Sequence, residues 1–243
     1  MIKLESRTPR DAKLTIIVHS TGAGPDHHRL DRILALKKLS WSLNQVKQQT
    51  LANFPGGEDG LPILQFGRCF FCGSLVSTLA LERLKGEPTL FPNGNCGMPL
   101  ALAWWSNGFF RDVQNSPGGR LLQKYCTLIS RQIADGRNFL QGHRPGLADV
   151  HSYAPLCALK ECGWDMTTLE SDPLLGPWFH RVANIGSTNG QVVTMGANDL
   201  LDNLPVSATD FPECDAIADK EIMAWQNQGT LYLWRSPLTA RAG

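Results

Sequence analysis

The spacing of apolar and polar residues changes along the chain and divides it into two parts. In the first part, apolar positions at helical spacing predict helices over residues 26–39 and 74–84. Residues 48–54 predict an irregular helix, and residues 56–60 a loop. Short apolar runs predict four strands, the last two forming a hairpin around Gly67, at residues 14–19, 41–46, 61–66 and 69–72. This order of elements predicts a small α/β layer with helices on both faces.

The second part is helical. Residues 86–99 are rich in Gly and Pro and predict a linker. Beyond them, the apolar spacing predicts four helices and two shorter ones, at residues 100–113, 121–140, 147–162, 172–185, 199–204 and 215–227. Residues 231–234 are strand-like, and the sequence does not indicate a partner strand for them. The predicted organisation is a first domain, a linker, a helical domain and a tail, at residues 13–86, 87–98, 99–228 and 229–243.

Composition and charge argue against two classes of protein. The chain has 243 residues, 42% of them hydrophobic, which is enough for a sizeable core. The formal net charge is +1 and there is no Lys/Arg run, so the electrostatic signature of a nucleic-acid binder is absent from the sequence. No apolar run approaches the roughly 20 residues of a membrane helix, and residues 1–13 lack the apolar stretch of a secretory signal. We therefore expect neither a nucleic-acid partner nor membrane insertion.

The cysteines indicate a reducing compartment and no metal site. There are seven, an odd number, and their spacing fits neither a disulfide framework nor a set of metal ligands. The sequence therefore predicts a cytoplasmic protein. Cys69 and Cys72 form a C-x-x-C pair, but redox pairs of that type need a helix N-terminus. This pair falls in a predicted strand, so we interpret it as two packed cysteines.

Three stretches carry a resemblance to a known family: Leu61-Pro62, residues 81–92 (LERLKGEPTLFP) and residues 139–156 (FLQGHRPGLADVHSYAPL). Together with the α/β layer, the linker and the helical second half, they resemble the cytosolic glutathione transferase superfamily. The resemblance implies a thioredoxin-like N-terminal domain followed by an all-helical C-terminal domain. It also implies a cis bond before Pro62, with the neighbouring backbone pairing with the cysteine of glutathione.

A bacterial branch of this superfamily is similar over more of the chain, about residues 14–200. The motifs that match this branch are Lys37-Lys-Leu39-Ser-Trp41, Pro62-Ile-Leu-Gln-Phe-Gly67 and Trp178-Phe-His-Arg-Val-Ala-Asn-Ile-Gly186. The resemblance further implies that Asp149 is the buried capping residue of the central helix. Gly146 stands where the family prefers Ser or Thr, so half of that capping pair is missing.

The resemblance implies glutathione as the cofactor and also shows where this chain departs from the family. The expected binding positions are Gly24, Leu61, Pro62, Gly73 and Ser74. Gly24 replaces the hydroxyl or thiol donor that stabilises the glutathione thiolate, and Gly73 replaces the acidic residue that holds the γ-glutamyl amine. Ser74 is kept, where it would bind the γ-glutamyl carboxylate at a helix N-terminus. The alternative for Ser74 is a purely structural helix cap.

Other polar residues near the first helix are candidates for the missing chemistry. His27 is a candidate general acid or base, and the alternative is a solvated residue in the first helical turn. His28 is expected at the surface. Ser20 and Thr21 are candidates to replace the lost donor, although turn hydrogen bonding is the stronger interpretation. Asp26 is placed to cap the helix, where the helix dipole favours an anion.

Aromatic residues of the first C-terminal helix are the candidates for the substrate pocket. They are Trp104, Trp105 and Phe109, with Phe110 beside them. Aromatics at helical spacing are usually core, so we expect at most one or two to touch a substrate. His151, inside the central helix, is interpreted as a hydrogen-bonded interior histidine.

The resemblance implies a homodimeric enzyme that uses glutathione for addition, thioether cleavage or isomerisation of a small hydrophobic unsaturated substrate. Two alternatives stay open because Gly24 and Gly73 provide no polar group, and each lost contact costs on the order of 1–3 kcal/mol. One is a repurposed fold that no longer needs glutathione, an isomerase, cyclase or lyase with His27 in proton transfer. The other is a non-catalytic ligand-binding or interaction protein. The fold does not choose between them.

Overall fold

The computed structural model describes residues 16–47, 61–66, 69–116, 119–186, 191–193 and 230–233. The elements predicted at residues 48–54, 56–60, 199–204 and 215–227 lie outside the described residues, as does Gly67. The predicted domain boundaries stay a prediction.

Six strands form one mixed sheet in the order β5-β2-β1-β3-β4-β6. The strands are β1 (Ile16–Ser20), β2 (Ser42–Gln45), β3 (Ile63–Phe66), β4 (Cys69–Cys72), β5 (Gln191–Val193) and β6 (Thr230–Leu233). β1 runs parallel to β2 and antiparallel to β3, and β3 and β4 pair as an antiparallel hairpin. The four strands predicted for the first part are therefore all present.

Both edges of the predicted four-stranded sheet are extended by strands from the C-terminal part of the chain. β5 pairs in parallel with β2, and β6 pairs antiparallel with β4, with Leu231 opposite Phe71. The strand-like run near residue 231 thus has its partner in β4, which the sequence did not indicate.

Within the part of the chain that the structure describes, two helices accompany the sheet, α1 (Pro25–Leu36) and α2 (Ser74–Leu84). α1 begins one residue before the predicted start and ends three residues before the predicted end. Its first residue is Pro25, which suits that position because the N–H it lacks would have no helical partner. The prediction that Asp26 caps α1 is wrong, since Gly24 is the N-cap and no side chain caps this end.

In the second half, the described residues form a 3₁₀ turn and five α-helices: α3 (Gly97–Asn115), α4 (Arg120–Gln132), α5 (Leu147–Glu161), α6 (Thr167–Ser171) and α7 (Leu175–Ala183). The turn is Pro92–Gly94, within the predicted linker. α4 ends well before residue 140, because the backbone tightens after it into i→i+3 bonds such as Ala134 N–H to the Arg131 carbonyl. No helix among the described ranges is long and apolar enough to cross a membrane.

Helix α5 contributes to two of the hydrophobic cores found among the described residues. Leu147 and Val150 pack with the sheet and α1, whereas Leu156 and Leu159 belong to the core of the helical half. Every residue from 147 to 156 is buried. The predicted architecture, an α/β layer followed by a helical half, is therefore present, with α5 as the element common to both.

Asp149 stabilises the start of α5, as the resemblance implied. Its buried carboxylate accepts hydrogen bonds from the backbone N–H groups of Leu140 (2.8 Å) and Gly146 (3.1 Å) and from Trp178 Nε1 (2.9 Å). Burial raises its pKa to about 6, against the opposing effect of these donors. A Cβ on Gly146 would lie 2.5 Å from Pro92 Cδ, so a Ser or Thr cap does not fit here.

Candidate functional site

The N-terminal ends of α1 and α2 meet at one point. Asp26, in the first turn of α1, accepts a hydrogen bond of 2.5 Å from the hydroxyl of Ser74, the first residue of α2. The same Asp26 oxygen pairs with the guanidinium of Arg29. Because the first N–H groups of a helix have no intrahelical acceptor, two sets of backbone donors converge beside this carboxylate.

Arg29 lies beneath this point and is fully buried. Its Nη2 donates to Ser106 Oγ on α3 at 2.8 Å, and its Nε has no hydrogen-bond partner among the described residues. Burial raises the pKa of Tyr125, with the Arg29 charge acting against it, and burial together with Arg29 lowers the pKa of His151. The guanidinium of Arg29 on α1 therefore acts on two buried residues of the helical half.

His151 does not match its interpretation from the sequence. It is buried in α5 as expected, but neither ring nitrogen has a hydrogen-bond partner within the described part of the chain. Because its pKa is lowered well below the ordinary value by burial and by Arg29, the ring is neutral. It is a neutral imidazole next to a buried cation, not a hydrogen-bonded core residue.

The backbone edge expected at Leu61 is present. The Leu61–Pro62 bond is cis, as the resemblance implied, and the Pro62 carbonyl accepts a hydrogen bond of 3.2 Å from Gly73 N–H. Gly73 is the N-cap of α2 with φ of 94°, and Gly24 is the N-cap of α1 with φ of 87°. Both angles favour glycine, so the side chains that the family has at these positions would be strained here.

Ser20 and Thr21 lie at the end of β1. The Ser20 hydroxyl is buried and accepts a hydrogen bond of 3.2 Å from Gly22 N–H, which is the turn bond considered as its alternative role. Thr21 is exposed, and its carbonyl accepts a bond of 3.3 Å from Gln45 Nε2. Whether either hydroxyl replaces the missing donor stays a prediction.

His27 and His28 differ in their surroundings. The His27 ring is partly buried, and its Nδ1 has no hydrogen-bond partner among the described residues. Burial and the neighbouring His28 lower the pKa of His27, with Asp31 and Glu161 acting the other way, so the imidazole is neutral near neutral pH. A neutral imidazole can accept a proton, which is the chemistry predicted for His27.

The surface position expected for His28 is wrong. Its side chain is only 12% exposed, packed between α1 and α5, and its Nε2 lies 2.7 Å from Glu161 Oε2. Burial lowers the pKa of His28, but Cys157 and Glu161 outweigh this effect and the pKa is raised above its ordinary value. The sequence could not show this, because the partners lie far away on α5.

The aromatic candidates of α3 differ in their surroundings. Trp104 and Trp105 are both exposed, and of the two Trp105 lines a cavity of about 550 Å³. Phe109 is buried and stacked on Tyr125, with ring centroids 4.0 Å apart, and Phe110 packs against the same helical core. The cavity lies among α3, α4, α5 and the loop before α5. Asp26, His27 and Ser74 do not line it, so it is separate from the point where α1 and α2 meet.

The cysteine pair in β4 lies in a strand, as predicted. Burial raises the pKa of Cys72 to about 12, so this thiol stays protonated and unreactive.

Arg29 is the site residue that sequence reasoning missed. The signal for it is its position on the buried face of α1, four residues before Ile33.

Comparison with solved structures identifies the fold. A GST-like protein from Pseudomonas syringae superposes with a TM-score of 0.64 at 22% identity, covering 78% of this chain and 74% of that one. A maleylacetoacetate isomerase from Anaeromyxobacter dehalogenans, with dicarboxyethyl glutathione and citrate in its active site, gives 0.53 at 20% identity, covering 83% and 97%. A glutathione S-transferase from Methylobacterium radiotolerans, in complex with glutathione sulfonate, gives 0.55 at 18% identity, covering 74% and 97%.

The chain has the glutathione transferase fold. The predicted thioredoxin-like domain followed by a helical domain is thereby confirmed. Neither protein-family models nor curated proteins give a match. In this fold, Ser74 contacts Asp26 in the first turn of α1, and the preceding Gly73 bonds to the Pro62 carbonyl. The two positions at which the resemblance implied other side chains are Gly24 and Gly73.

Proposed function

We propose that the protein is a glutathione-dependent enzyme of the transferase, lyase or isomerase type, acting on a small hydrophobic unsaturated substrate. The observation that carries this proposal is the Asp26–Ser74 bond, which joins the N-terminal ends of α1 and α2 above the buried guanidinium of Arg29. Solved proteins of the same fold contain glutathione conjugates or analogues, which supports glutathione as the ligand.

The charges at this point favour an anion. Each helix N-terminus is equivalent to roughly half a positive charge, Arg29 adds a full one, and Asp26 cancels one. The site is left with an excess of about one positive charge. A positive environment lowers the pKa of a thiol, so a thiolate can form here without a hydroxyl at position 24.

Glutathione would extend from the backbone of Leu61 to Ser74, with its γ-glutamyl carboxylate at the start of α2. The substrate would lie toward α3. Ser106 of this helix accepts a hydrogen bond from Arg29, and Trp105 precedes it in the sequence. The thiolate would attack an electron-poor carbon of the substrate, and modest stabilisation is enough because thiolates are strong nucleophiles. The homodimer and the cytoplasmic location are part of this proposal.

Titration of the full chain with reduced glutathione tests the proposal. We expect saturable binding by calorimetry, and a bound thiol whose pKa, read from thiolate absorbance, lies about one unit or more below that of free glutathione. Ser74→Ala should weaken binding about tenfold. Ser116→Ala, at an exposed position after α3, should leave it unchanged. Absence of binding at millimolar glutathione would overturn the proposal.

A second function, an isomerase, cyclase or lyase that needs no glutathione, is favoured by one specific observation. The buried Nδ1 of His27 has no hydrogen-bond partner among the described residues, so it is available for proton transfer. In this case a small-molecule substrate would turn over without glutathione, and His27→Ala would abolish turnover. A purely binding protein would show no turnover and would be indifferent to the substitution.

A further inference from the structure

Three side chains with metal-binding atoms meet between α1 and α5. They are His28 on α1 and Cys157 and Glu161 on α5, and one ligand atom from each lies within 4.8 Å of the other two. Cys157 and Glu161 are four residues apart, which places both side chains on the same face of the helix. No metal site is predicted from the sequence, because the spacing of the cysteines does not fit a set of metal ligands. Cysteine spacing could not indicate this group, because only one of its three residues is a cysteine.

The group has room to adopt metal-ligand geometry. His28 Nε2 and Glu161 Oε2 are 2.7 Å apart, a hydrogen-bond distance. Two ligand atoms of a tetrahedral zinc ion would stand roughly 3.3 Å apart, given bonds of about 2.0 Å. The Glu161 side chain is 53% exposed, so it can move away from His28 by the difference between these two distances. The His28 side chain is only 12% exposed and is fixed by its packing between α1 and α5.

The donor set selects the kind of ion. An imidazole nitrogen, a thiolate sulfur and a carboxylate oxygen together suit Zn²⁺, whereas Mg²⁺ and Ca²⁺ prefer oxygen ligands alone. The Tyr153 hydroxyl lies 3.4 Å from Cys157 Sγ and donates to it, which would stabilise the thiolate from outside the coordination sphere.

We propose that His28, Cys157 and Glu161 bind one zinc ion per chain, with a fourth position left to water. Binding displaces the thiol proton of Cys157 and any proton on His28 to solvent, and no electron transfer is involved. The site has its own ligands, because none of the three residues is assigned to the tripeptide.

Cobalt substitution in the full chain tests the proposal. The protein is prepared without metal, with a phosphine reductant and no added thiol, because thiols, glutathione included, bind zinc themselves. Addition of Co²⁺ should produce the near-ultraviolet charge-transfer band of a cobalt–thiolate bond at one equivalent. Zn²⁺ should displace it, and competition with a chromophoric chelator should give a zinc dissociation constant of about 1 μM or tighter.

Two cysteine variants decide whether the thiolate is the one proposed. Cys157→Ser should abolish the charge-transfer band and weaken zinc binding at least about tenfold. Cys162→Ser, at an exposed position just after α5, should leave both unchanged. Equal thermal unfolding of the metal-free forms establishes that the variants are folded, and His28→Gln gives a second ligand deletion that should also weaken binding. A band that survives Cys157→Ser, or no band at all, would overturn the proposal.

Discussion

The hydroxyl of Ser74 donates a hydrogen bond to the carboxylate of Asp26, a residue 48 positions earlier in the chain. Asp26 also pairs with Arg29, and Arg29 donates to Ser106. A series of hydrogen bonds between polar side chains thus runs from α2 through α1 to α3, and it connects the α/β layer to the helical half. It is the central feature of the proposed glutathione site.

We predict that the two members of the Asp26–Arg29 pair are not equivalent for stability. Arg29 is fully buried, whereas the Asp26 side chain is 40% exposed. Asp26→Asn would leave a buried charge without its carboxylate, at a cost of about 3 kcal/mol. Arg29→Met would leave Asp26 able to bind water, so it should lower the free energy of unfolding by less than Asp26→Asn does. Urea unfolding of both variants measures the difference.

The double variant and a surface pair provide the controls for this prediction. Asp26→Asn with Arg29→Met should cost less than the two single changes together, by about 0.5–3 kcal/mol, because the residues are in contact. Asp135→Asn breaks the exposed pair between Asp135 and Arg137, and it should lower the free energy of unfolding far less than Asp26→Asn does. If Asp26→Asn and Asp135→Asn lowered the free energy of unfolding equally, the buried charge of Arg29 would not depend on Asp26 as predicted.

We predict that acid destabilises the fold through His19. Its buried ring bonds Gln65 Oε1 at 2.7 Å and Asn44 Nδ2 at 3.0 Å, so Nε2 donates and Nδ1 accepts in a neutral ring. Burial lowers the pKa of His19 to about 4, with the Gln65 bond acting the other way. The unfolded chain takes up the proton near pH 6.5 and the folded protein only near pH 4. The free energy of unfolding should therefore fall as the pH drops through this window, by on the order of 3 kcal/mol.

Unfolding measured between pH 7 and pH 4 tests the role of His19. His19→Gln should reduce this pH dependence by the share of His19 and leave a smaller slope, because the pKa values of His151 and His27 are also lowered. His143→Gln, at an exposed position in the loop before α5, should leave the slope as it is. If the slope of the His19 variant equals that of the natural protein, the buried imidazole is not responsible.

Local patterns predicted the elements well, and long-range contacts account for what they missed. The β3–β4 hairpin and α5 follow from apolar spacing, which depends only on neighbours in sequence. The burial of His28 depends on α5, more than a hundred residues away, and no local pattern carries that information. The same holds for Asp26, whose carboxylate bonds to Ser74 instead of capping its own helix.

We predict that β6 protects the edge of the sheet. It pairs antiparallel with all of β4, from Cys69 to Cys72. Deleting residues 229–243 would leave β4 as an open edge, with unpaired backbone groups that can pair with another chain. We expect faster hydrogen exchange of the β4 amides and more light scattering on warming. Deleting only residues 235–243, which keeps β6, should have neither effect, and identical behaviour of the two truncations would count against the role of β6.

Gly146 offers a test of why this chain lacks a side-chain cap on α5. A Ser at a helix N-cap normally adds roughly a few tenths of a kcal/mol of stability over a Gly, and Gly146 has extended backbone angles that any residue adopts. Space is the obstacle, because a Cβ would lie 2.5 Å from Pro92 Cδ and 2.8 Å from Pro92 Cγ. Gly146→Ser should therefore destabilise the protein by about 1–3 kcal/mol in urea unfolding.

Removing the obstacle should reverse part of this loss. Pro92→Ala deletes both ring atoms that the new Cβ would meet, although the Leu90 carbonyl oxygen, 3.1 Å from that Cβ, remains. Gly146→Ser should cost less in the Pro92→Ala background than in the natural chain, because the hydroxyl can then cap α5 beside Asp149. The same cost in both backgrounds would mean that Pro92 is not what excludes the cap, and that the Leu90 carbonyl or the start of α5 itself sets the limit.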